Sequence, residues 1–504
     1  MLNRSILTAI TFLPAAGAVV VALLPRRGRS IQWFALLVSL ATFILSLHLP
    51  AHYSYSRGGF QFQENRPWIA SPRIHYRLGV DGLSMWLVVL TAFLAPVAVL
   101  ASWSAIRERA KEFYCYFLLQ QTAMIGVFVA LDLFLYYAFW ELSLIPMAIL
   151  IAAFGRGRGP QAALKFFVYA FVPSALLLVG ILWLYSKTAT FDFFQLRAAL
   201  LHDSYLFPPE TLFWVSLAFL AAFAVKVPVF PLHGWLSDAF SEAPTAMGMV
   251  IAGKLGLYSL IRFHLELFPA QARQAAPWMI ALAVAGILYG ALLALTQKDL
   301  KRMLAYSTLG HLSFCILGIY ALALTSLDGA IYQILNHGVS AGALFLLLGF
   351  LYERYGTYEI AAFGVLAKRL PDMATLFTIT SLSLIGLPLL NGFVGEFLIL
   401  SGSFPGNAGW VTAATLGVIL SAAYMLWVVQ RVFFGGESPL VSGSPARRLG
   451  LREHLALWPL ALLMLAMGVA SPIWMRAIDG AAVRLAQPAP PAAAAVPAQT
   501  AESQ

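Results

Sequence analysis

The strongest constraint on this chain is a succession of apolar runs of about 20 residues or more, parted only by short charged or Pro/Gly-rich breaks. A helix needs about 20 apolar residues to cross the hydrocarbon of a bilayer. Lipid offers an open backbone no hydrogen bonds, so only helices and closed barrels span it. Barrel strands alternate apolar and polar positions, and these runs do not. Spans are expected near 3–24, 31–50, 79–103, 113–130, 132–153, 162–186, 208–235, 243–263, 275–296, 302–323, 328–352, 373–402, 408–434 and 453–475. The fold class is thus an all-α integral membrane protein with about 14 transmembrane helices. Only 11% of the 504 residues are charged, against about 25% in a soluble domain. That leaves too little polar surface for soluble domains, and the sequence is too apolar for disorder. Cys115 and Cys315 lie in apolar runs and offer neither a disulfide framework nor metal-ligand spacing.

The net charge of +10 invites a nucleic-acid reading, but the positive residues flank the spans. With the amino terminus outside, the inner loops carry 19 of the 32 Lys and Arg and the outer segments 11, while Lys226 and Lys254 fall inside spans. Positive residues favour the inner side, so both termini are expected outside a cytoplasmic membrane. The charge then sets topology, with the lipid bilayer as partner and no nucleic acid. The first span has Arg4 before it and Arg26-Arg27-Gly28-Arg29 after it, and is longer than a signal-peptide core. It reads as a retained helix. The Ala/Pro-rich segment 487–504 reads as a flexible tail. Gly248 to Lys254 has phosphate-loop spacing, but Leu255 follows where Ser or Thr would be needed, and no strand precedes it.

Against this apolar background the ionisable residues at membrane depth are few. Each costs about 2.5–3.5 kcal/mol to insert, and such groups mark ion paths or buried partners. Glu141 lies in Phe139-Trp140-Glu141-Leu142-Ser143, and Lys226 directly precedes Val227-Pro228-Val229-Phe230-Pro231. Two prolines must break that helix, and a broken helix at membrane depth is tolerated where it lines a cavity. Lys254 is mid-span, His311 lies in Gly310-His311-Leu312-Ser313, and His337 in Asn336-His337-Gly338. Glu396 follows a second break at Gly386-Leu387-Pro388. Burial disfavours the charged form of each group and a nearby opposite charge restores it, which is the property a proton relay needs.

The spacing repeats. Lys226 follows Glu141 by 85 residues, and Glu396 follows His311 by 85. The two pairs are separated by five spans, and an odd number inverts the second copy in the membrane. Two inverted five-helix repeats with two broken helices are therefore expected, the plan of many transporters. A structural ion pair or a purely scaffolding role also fits these residues. So does axial ligation of a haem by His311 and His337.

The motifs Leu78-Gly79-Val80-Asp81-Gly82-Leu83-Ser84, Phe139-Trp140-Glu141-Leu142, Lys226 to Leu236, Glu242-Ala243-Pro244-Thr245-Ala246, Asp299 to Ser307, Asn336-His337-Gly338 and Asn391-Gly392-Phe393-Val394-Gly395-Glu396-Phe397 resemble subunit M, the antiporter-like family of bacterial NADH-quinone oxidoreductase (respiratory complex I). The resemblance covers about 75–435. It implies fourteen helices with two inverted repeats. It also implies a proton-translocating, non-redox subunit of that enzyme, a translocase. NADH, FMN, iron-sulfur clusters and quinone would all sit in partner subunits and none in this chain. Sister antiporter-like subunits would be neighbours. By the same resemblance Glu141 and Lys226 form a coupled ion pair, Lys254 is the central relay lysine, His311 and His337 lie on the polar axis, and Glu396 ends the far half-channel. Glu396 itself separates subunit M from subunits L and N, which usually carry lysine there.

Two departures stand out. Phe240 occupies a position where the family usually has His. The segment between Gly253 and Lys254 lacks three apolar residues, nearly one helical turn, which keeps the face of Lys254 but shifts it by about 4.5 Å in depth. The expected organisation is 1–111 for the first spans and outer loop, 112–266 for the first repeat, 267–435 for the second, 436–486 for a C-terminal span and 487–504 for the tail. A subunit of a multi-subunit cation/proton antiporter or of a membrane-bound hydrogenase fits the residue-level features equally well.

Overall fold

The computed structural model describes residues 5–25, 29–56, 59–251, 254–443 and 447–486. The tail at 487–504 lies outside the described residues, as do Arg4, Arg26, Arg27 and Arg57 of the charge count. Helices dominate. The chain opens with α1 (Ile6–Leu23), α2 (Ser30–Ser46) and the short α3 (His48–His52). A hairpin of β1 (Gln61–Ile69) and antiparallel β2 (Ile74–Val80) follows. Then come α4 (Ser84–Ala105), α5 (Ala110–Val129), α6 (Leu133–Leu142), α7 (Leu144–Phe154), α8 (Gly159–Thr188), α9 (Phe193–His202) and α10 (Pro209–Lys226). After the break come α11 (Leu236–Glu242), α12 (Thr245–Ile251) and α13 (Lys254–Ser259), the last running into a π-helical turn at Leu260–Leu265. The remainder is α14 (Pro269–Thr296), α15 (Leu300–Tyr320), α16 (Leu324–Tyr355), α17 (Leu366–Arg369), α18 (Pro371–Leu384), α19 (Asn391–Phe433), α20 (Pro439–Gly443), α21 (Leu451–Val469) and α22 (Pro472–Ala486).

Three aspartates start helices in the same way. Asp132, Asp192 and Asp299 each accept from the two backbone N–H groups that open α6, α9 and α15. A carboxylate there satisfies donors that have no partner within the helix. Pro146 lacks the N–H that would bond Leu142, and the helix bends there at Ser143, between α6 and α7.

Twelve helices among the described residues are long and apolar enough to cross a membrane. The chain is a multi-pass membrane protein. A tally of fourteen requires two additions. One is α5, a 20-residue helix carrying Lys111 and Glu112. The other is a second arm of α19, which runs for 43 residues but turns at Asn407, where φ is −143°.

Burial sorts the helices. Helices α15 and α16 and residues 254–265 are almost wholly buried, whereas most of α8 is not. The first three therefore form the centre and α8 lies at the periphery of the bundle. Helix α16 is the hub, packed on α4, α15, α18, α19, α21 and α22.

Three expectations change. The segment at 51–78 is not a plain loop, because it folds into the β1–β2 hairpin. Spans at 373–402 and 408–434 are not cleanly separate, since one helical run covers Asn391–Phe433 across the turn at Asn407. The region 436–486 holds a further helix besides its one candidate span, α21. Beyond α21 lies α22, whose Ala477, Ile478, Ala481 and Ala482 are buried while Arg484 pairs with Asp81 beside the hairpin. These apolar positions share one face at helical spacing, which makes α22 a surface-lying amphipathic helix.

Candidate functional site

Two interrupted helices bring polar groups to mid-bundle. At the first interruption α10 ends on Lys226. The carbonyls orphaned there are taken up locally: Val229 N–H donates to Ala224 O at 2.8 Å and Trp235 Nε1 to Val225 O at 3.0 Å. That satisfaction is what allows an open backbone inside an apolar bundle. Lys226 Nζ donates to Ser143 Oγ at 3.2 Å and lies 5.0 Å from the Trp140 ring centroid, a cation–π distance. Glu141 accepts from Ser174 Oγ, which also receives Trp140 Nε1 at 3.1 Å.

Glu141 and Lys226 thus sit side by side without touching. No ion pair joins them among the described residues, although each lies in the other's electrostatic reach. In place of the expected ion pair, each side chain is held by its own serine. Ser143 stands at the junction of α6 and α7, and its hydroxyl receives Lys226 Nζ there.

At the second interruption α18 ends at Leu384 and α19 begins at Asn391. Gly386 takes φ +74° between them, a left-handed conformation that favours glycine. A Cβ on Gly386 would stand 2.9 Å from Glu396 Oε2. The Glu396 carboxylate therefore packs directly over the break. Its Oε1 lies 3.0 Å from His311 Nδ1 and receives Gln333 Nε2 at 3.1 Å. Asn336 Nδ2 bonds Gln333 Oε1 at 3.0 Å and caps the Asn391 carbonyl at 2.7 Å.

Between the two interruptions stand Lys254 and His337. Lys254 is 2% exposed, and its Nζ donates to Met249 O at 2.9 Å. Its chain lies so close to α16 that a Cβ on Gly338 would meet Lys254 Cε at 2.8 Å. Neither ring nitrogen of His337 has a hydrogen-bond partner among the described residues. The rings of His337 and His311 lie 6.0 Å apart, centroid to centroid. His337 is therefore flanked by Lys254 on one side and His311 on the other. The structure brings Lys254, His337, His311 and Glu396 into one buried line, with Lys226 and Glu141 together at the first break.

Sequence reasoning missed the polar groups that hold these residues: Ser143, Ser174, Gln333, Ser340, Ser383 and Asn391. Part of that signal was present. Gln333, Asn336, His337 and Ser340 recur at three- and four-residue spacing and so share one face of α16. Phe240, where the family usually has His, is buried and packs on Phe345 at 4.9 Å between centroids. The three-residue shortening before Lys254 falls at Ala252 and Gly253, outside the described residues. Beyond it the helix leaves α-geometry at Leu260–Leu265.

Residues 130–422 match the family described as NADH:quinone oxidoreductase/Mrp antiporter, TM, and residues 30–131 match NADH-ubiquinone oxidoreductase chain 4, amino terminus. NADH-quinone oxidoreductase subunit M of Rhodobacter capsulatus is 41% identical over 487 residues, 92% of this chain and 93% of that protein. The chain belongs to the NADH-quinone oxidoreductase subunit M family.

Other relatives match as evenly along their length. NADH-ubiquinone oxidoreductase chain 4 of Marchantia polymorpha is 35% identical over 488 residues, 95% of this chain and 97% of that one. A chain of respiratory complex I from Thermus thermophilus with bound NADH superposes with a TM-score of 0.86 at 31% identity, covering 95% of this chain and 99% of that chain. The Mrp complex from Dietzia sp. DQ12-45-1b shares the fold at a TM-score of 0.85 and 22% identity, covering 97% and 98%. The subunit M fold is thus common to complex I and Mrp assemblies. The polar line described above runs through the part matched by the family, from Glu141 to Glu396.

Proposed function

We propose that this chain translocates protons as a membrane subunit of NADH-quinone oxidoreductase, through Glu141, Lys226, Lys254, His337, His311 and Glu396. The observation that carries the reading is the buried line of ionisable groups between two broken helices. Lys254, His311, His337 and Glu396 are buried and Glu141 and Lys226 half-buried; holding such groups at depth is costly and serves charge movement better than stability.

Electron transfer takes place in partner subunits that hold NADH, FMN, iron-sulfur clusters and quinone. Its free energy reaches this chain as a change in the contacts of Glu141. When the carboxylate approaches Lys226, the ammonium keeps its proton. When it withdraws to Ser174, the lysine in low dielectric releases it. Lys254 and His337 pass the charge to His311 and Glu396. Access of water to alternate faces converts these steps into transport. The chain sits in the cytoplasmic membrane with both termini outside, beside sister antiporter-like subunits. The 85-residue spacing supports two inverted repeats, 112–266 and 267–435.

The test uses the purified complex in proteoliposomes. Lys226→Ala or Glu141→Ala should abolish this chain's pumping while NADH oxidation by an artificial acceptor survives. Full pumping by the Glu141→Ala complex would remove the assignment. The fold shared with the Mrp complex supports a second reading, cation/proton exchange. That reading predicts pumping that responds to sodium at fixed electron-transfer rate.

A further inference from the structure

A second polar cluster lies outside this line. His264 is 1% exposed, in the π-helical turn beyond Lys254. Its Nε2 lies 3.1 Å from Ser216 Oγ and its Nδ1 3.0 Å from Tyr320 Oη. Ser216 and Tyr320 are buried as well. Ser216 is on α10, ten residues from Lys226; His264 is ten residues from Lys254; Tyr320 is on α15, nine residues from His311. All three displacements run towards the hairpin end. The helices that carry three relay residues therefore meet again, about 15 Å away at 1.5 Å per residue.

The chemistry of this meeting point is specific. A hydrogen-bonded brace needs only one donor and one acceptor. An imidazole between two hydroxyls does more, because each hydroxyl both donates and accepts. Either neutral tautomer of His264 then makes the same two hydrogen bonds, and the ring can change tautomer without moving a heavy atom. Beyond it, Glu266 accepts from Arg262 Nη1 at 2.5 Å and lies 3.8 Å from Arg197, which is partly exposed. On the other side of the same turn, Arg262, Glu266 and Arg197 form a separate charged cluster that reaches the surface.

We propose that His264 is an additional relay residue, moving protons between the buried line and the hairpin-end surface along Tyr320, His264 and Ser216. As Tyr320 Oη takes up a proton it gives its own to Nδ1. The imidazolium then releases the Nε2 proton to Ser216 Oγ, whose own proton passes to water entering from the hairpin-end surface. Protons balance at each step and no redox partner is needed. The inference rests on the proton-translocation reading above.

The experiment measures protons pumped per NADH oxidised, and the solvent deuterium isotope effect on coupled turnover, in proteoliposomes of the whole complex. His264→Gln keeps one donor and one acceptor but cannot shuttle a proton. It should lose the same share of pumping as Glu141→Ala, with assembly and artificial-acceptor activity retained and the isotope effect changed. A wild-type ratio and isotope effect in His264→Gln, with pumping lost in Glu141→Ala, would overturn the relay role alone. Full pumping in Glu141→Ala would overturn the function reading and this inference with it. If His264→Gln fails to assemble, Tyr320→Phe and Ser216→Ala decide. A lowered ratio in either supports the relay, and wild-type ratios in both refute it.

Discussion

His311 Nδ1 lies 3.0 Å from Glu396 Oε1, deep in the bundle and 85 residues apart in sequence. The contact ties an uninterrupted helix to the one that restarts after a break. Gln333 shares the same carboxylate oxygen, so Glu396 satisfies two buried donors at once. Removing it affects both charge and packing, and different substitutions separate the two.

Glu396→Gln keeps the volume and an acceptor but removes the charge. It should leave thermal stability nearly unchanged while the proton-to-electron ratio of the reconstituted complex falls. Glu396→Ala strands His311 and Gln333 and should cost about 1–3 kcal/mol for each buried group left unpaired. Thermal unfolding in detergent, run alongside the pumping assay, reads both effects.

Gly386→Ala tests the second break. The new Cβ would meet Glu396 Oε2 at 2.9 Å while the backbone holds φ +74°. A left-handed alanine costs about 1–2 kcal/mol, and the carboxylate must also shift. The expected result is a lower unfolding temperature together with reduced pumping, with Glu396 itself still present.

Gly338→Ala places a methyl within 2.8 Å of Lys254 Cε and 2.7 Å of Leu90 Cδ2. Lys254 should be pushed from its place beside His337. Pumping is expected to fall towards that of Lys254→Ala, while electron transfer to an artificial acceptor is unaffected. Wild-type pumping in this variant would show that the proximity of Lys254 to α16 is not needed.

Asp81 lies outside the spanning helices, where Arg262 and Arg484 both reach it. Burial pushes its carboxyl up, but the Arg262 and Arg484 guanidiniums outweigh burial and hold it at about 2. A lowered folded-state value means the stabilisation is complete above the unfolded value near 3.9 and is lost as pH falls towards 2. It amounts to about 2–3 kcal/mol. Unfolding temperatures measured from pH 6 to pH 3 should drop for the wild type below about pH 4. Asp81→Asn should be less stable at pH 6, because the half-buried Arg484 loses its carboxylate and the buried Arg262 is left with Glu266 alone, and should show a flatter acid limb.

Much of the architecture is legible in the amino-acid sequence. Helical class follows from run length, because lipid leaves an apolar chain few alternatives. The breaks at Pro228 and Pro388 follow from prolines that cannot continue a helix. The candidate residues stand out because charge is scarce in this sequence. The hairpin at Gln61–Val80 is not legible, since Pro67 falls within its first strand and neither strand keeps a clean alternation of apolar and polar residues. Nor is the π-helical turn carrying His264, because local sequence does not distinguish that winding from an α-helix.

The sequence alone determined that the chain crosses a membrane, where its helices break, and which ionisable residues must be accommodated at depth. These follow from local chemistry: hydrophobicity, missing backbone donors and the cost of burying charge. Only the tertiary structure decided which of those residues touch. It gave Glu141 to Ser174 and Lys226 to Ser143, and it joined His311 to Glu396 and His264 to both Ser216 and Tyr320. Such pairings depend on the azimuth and depth of helices distant in sequence, which are set by packing across the whole bundle.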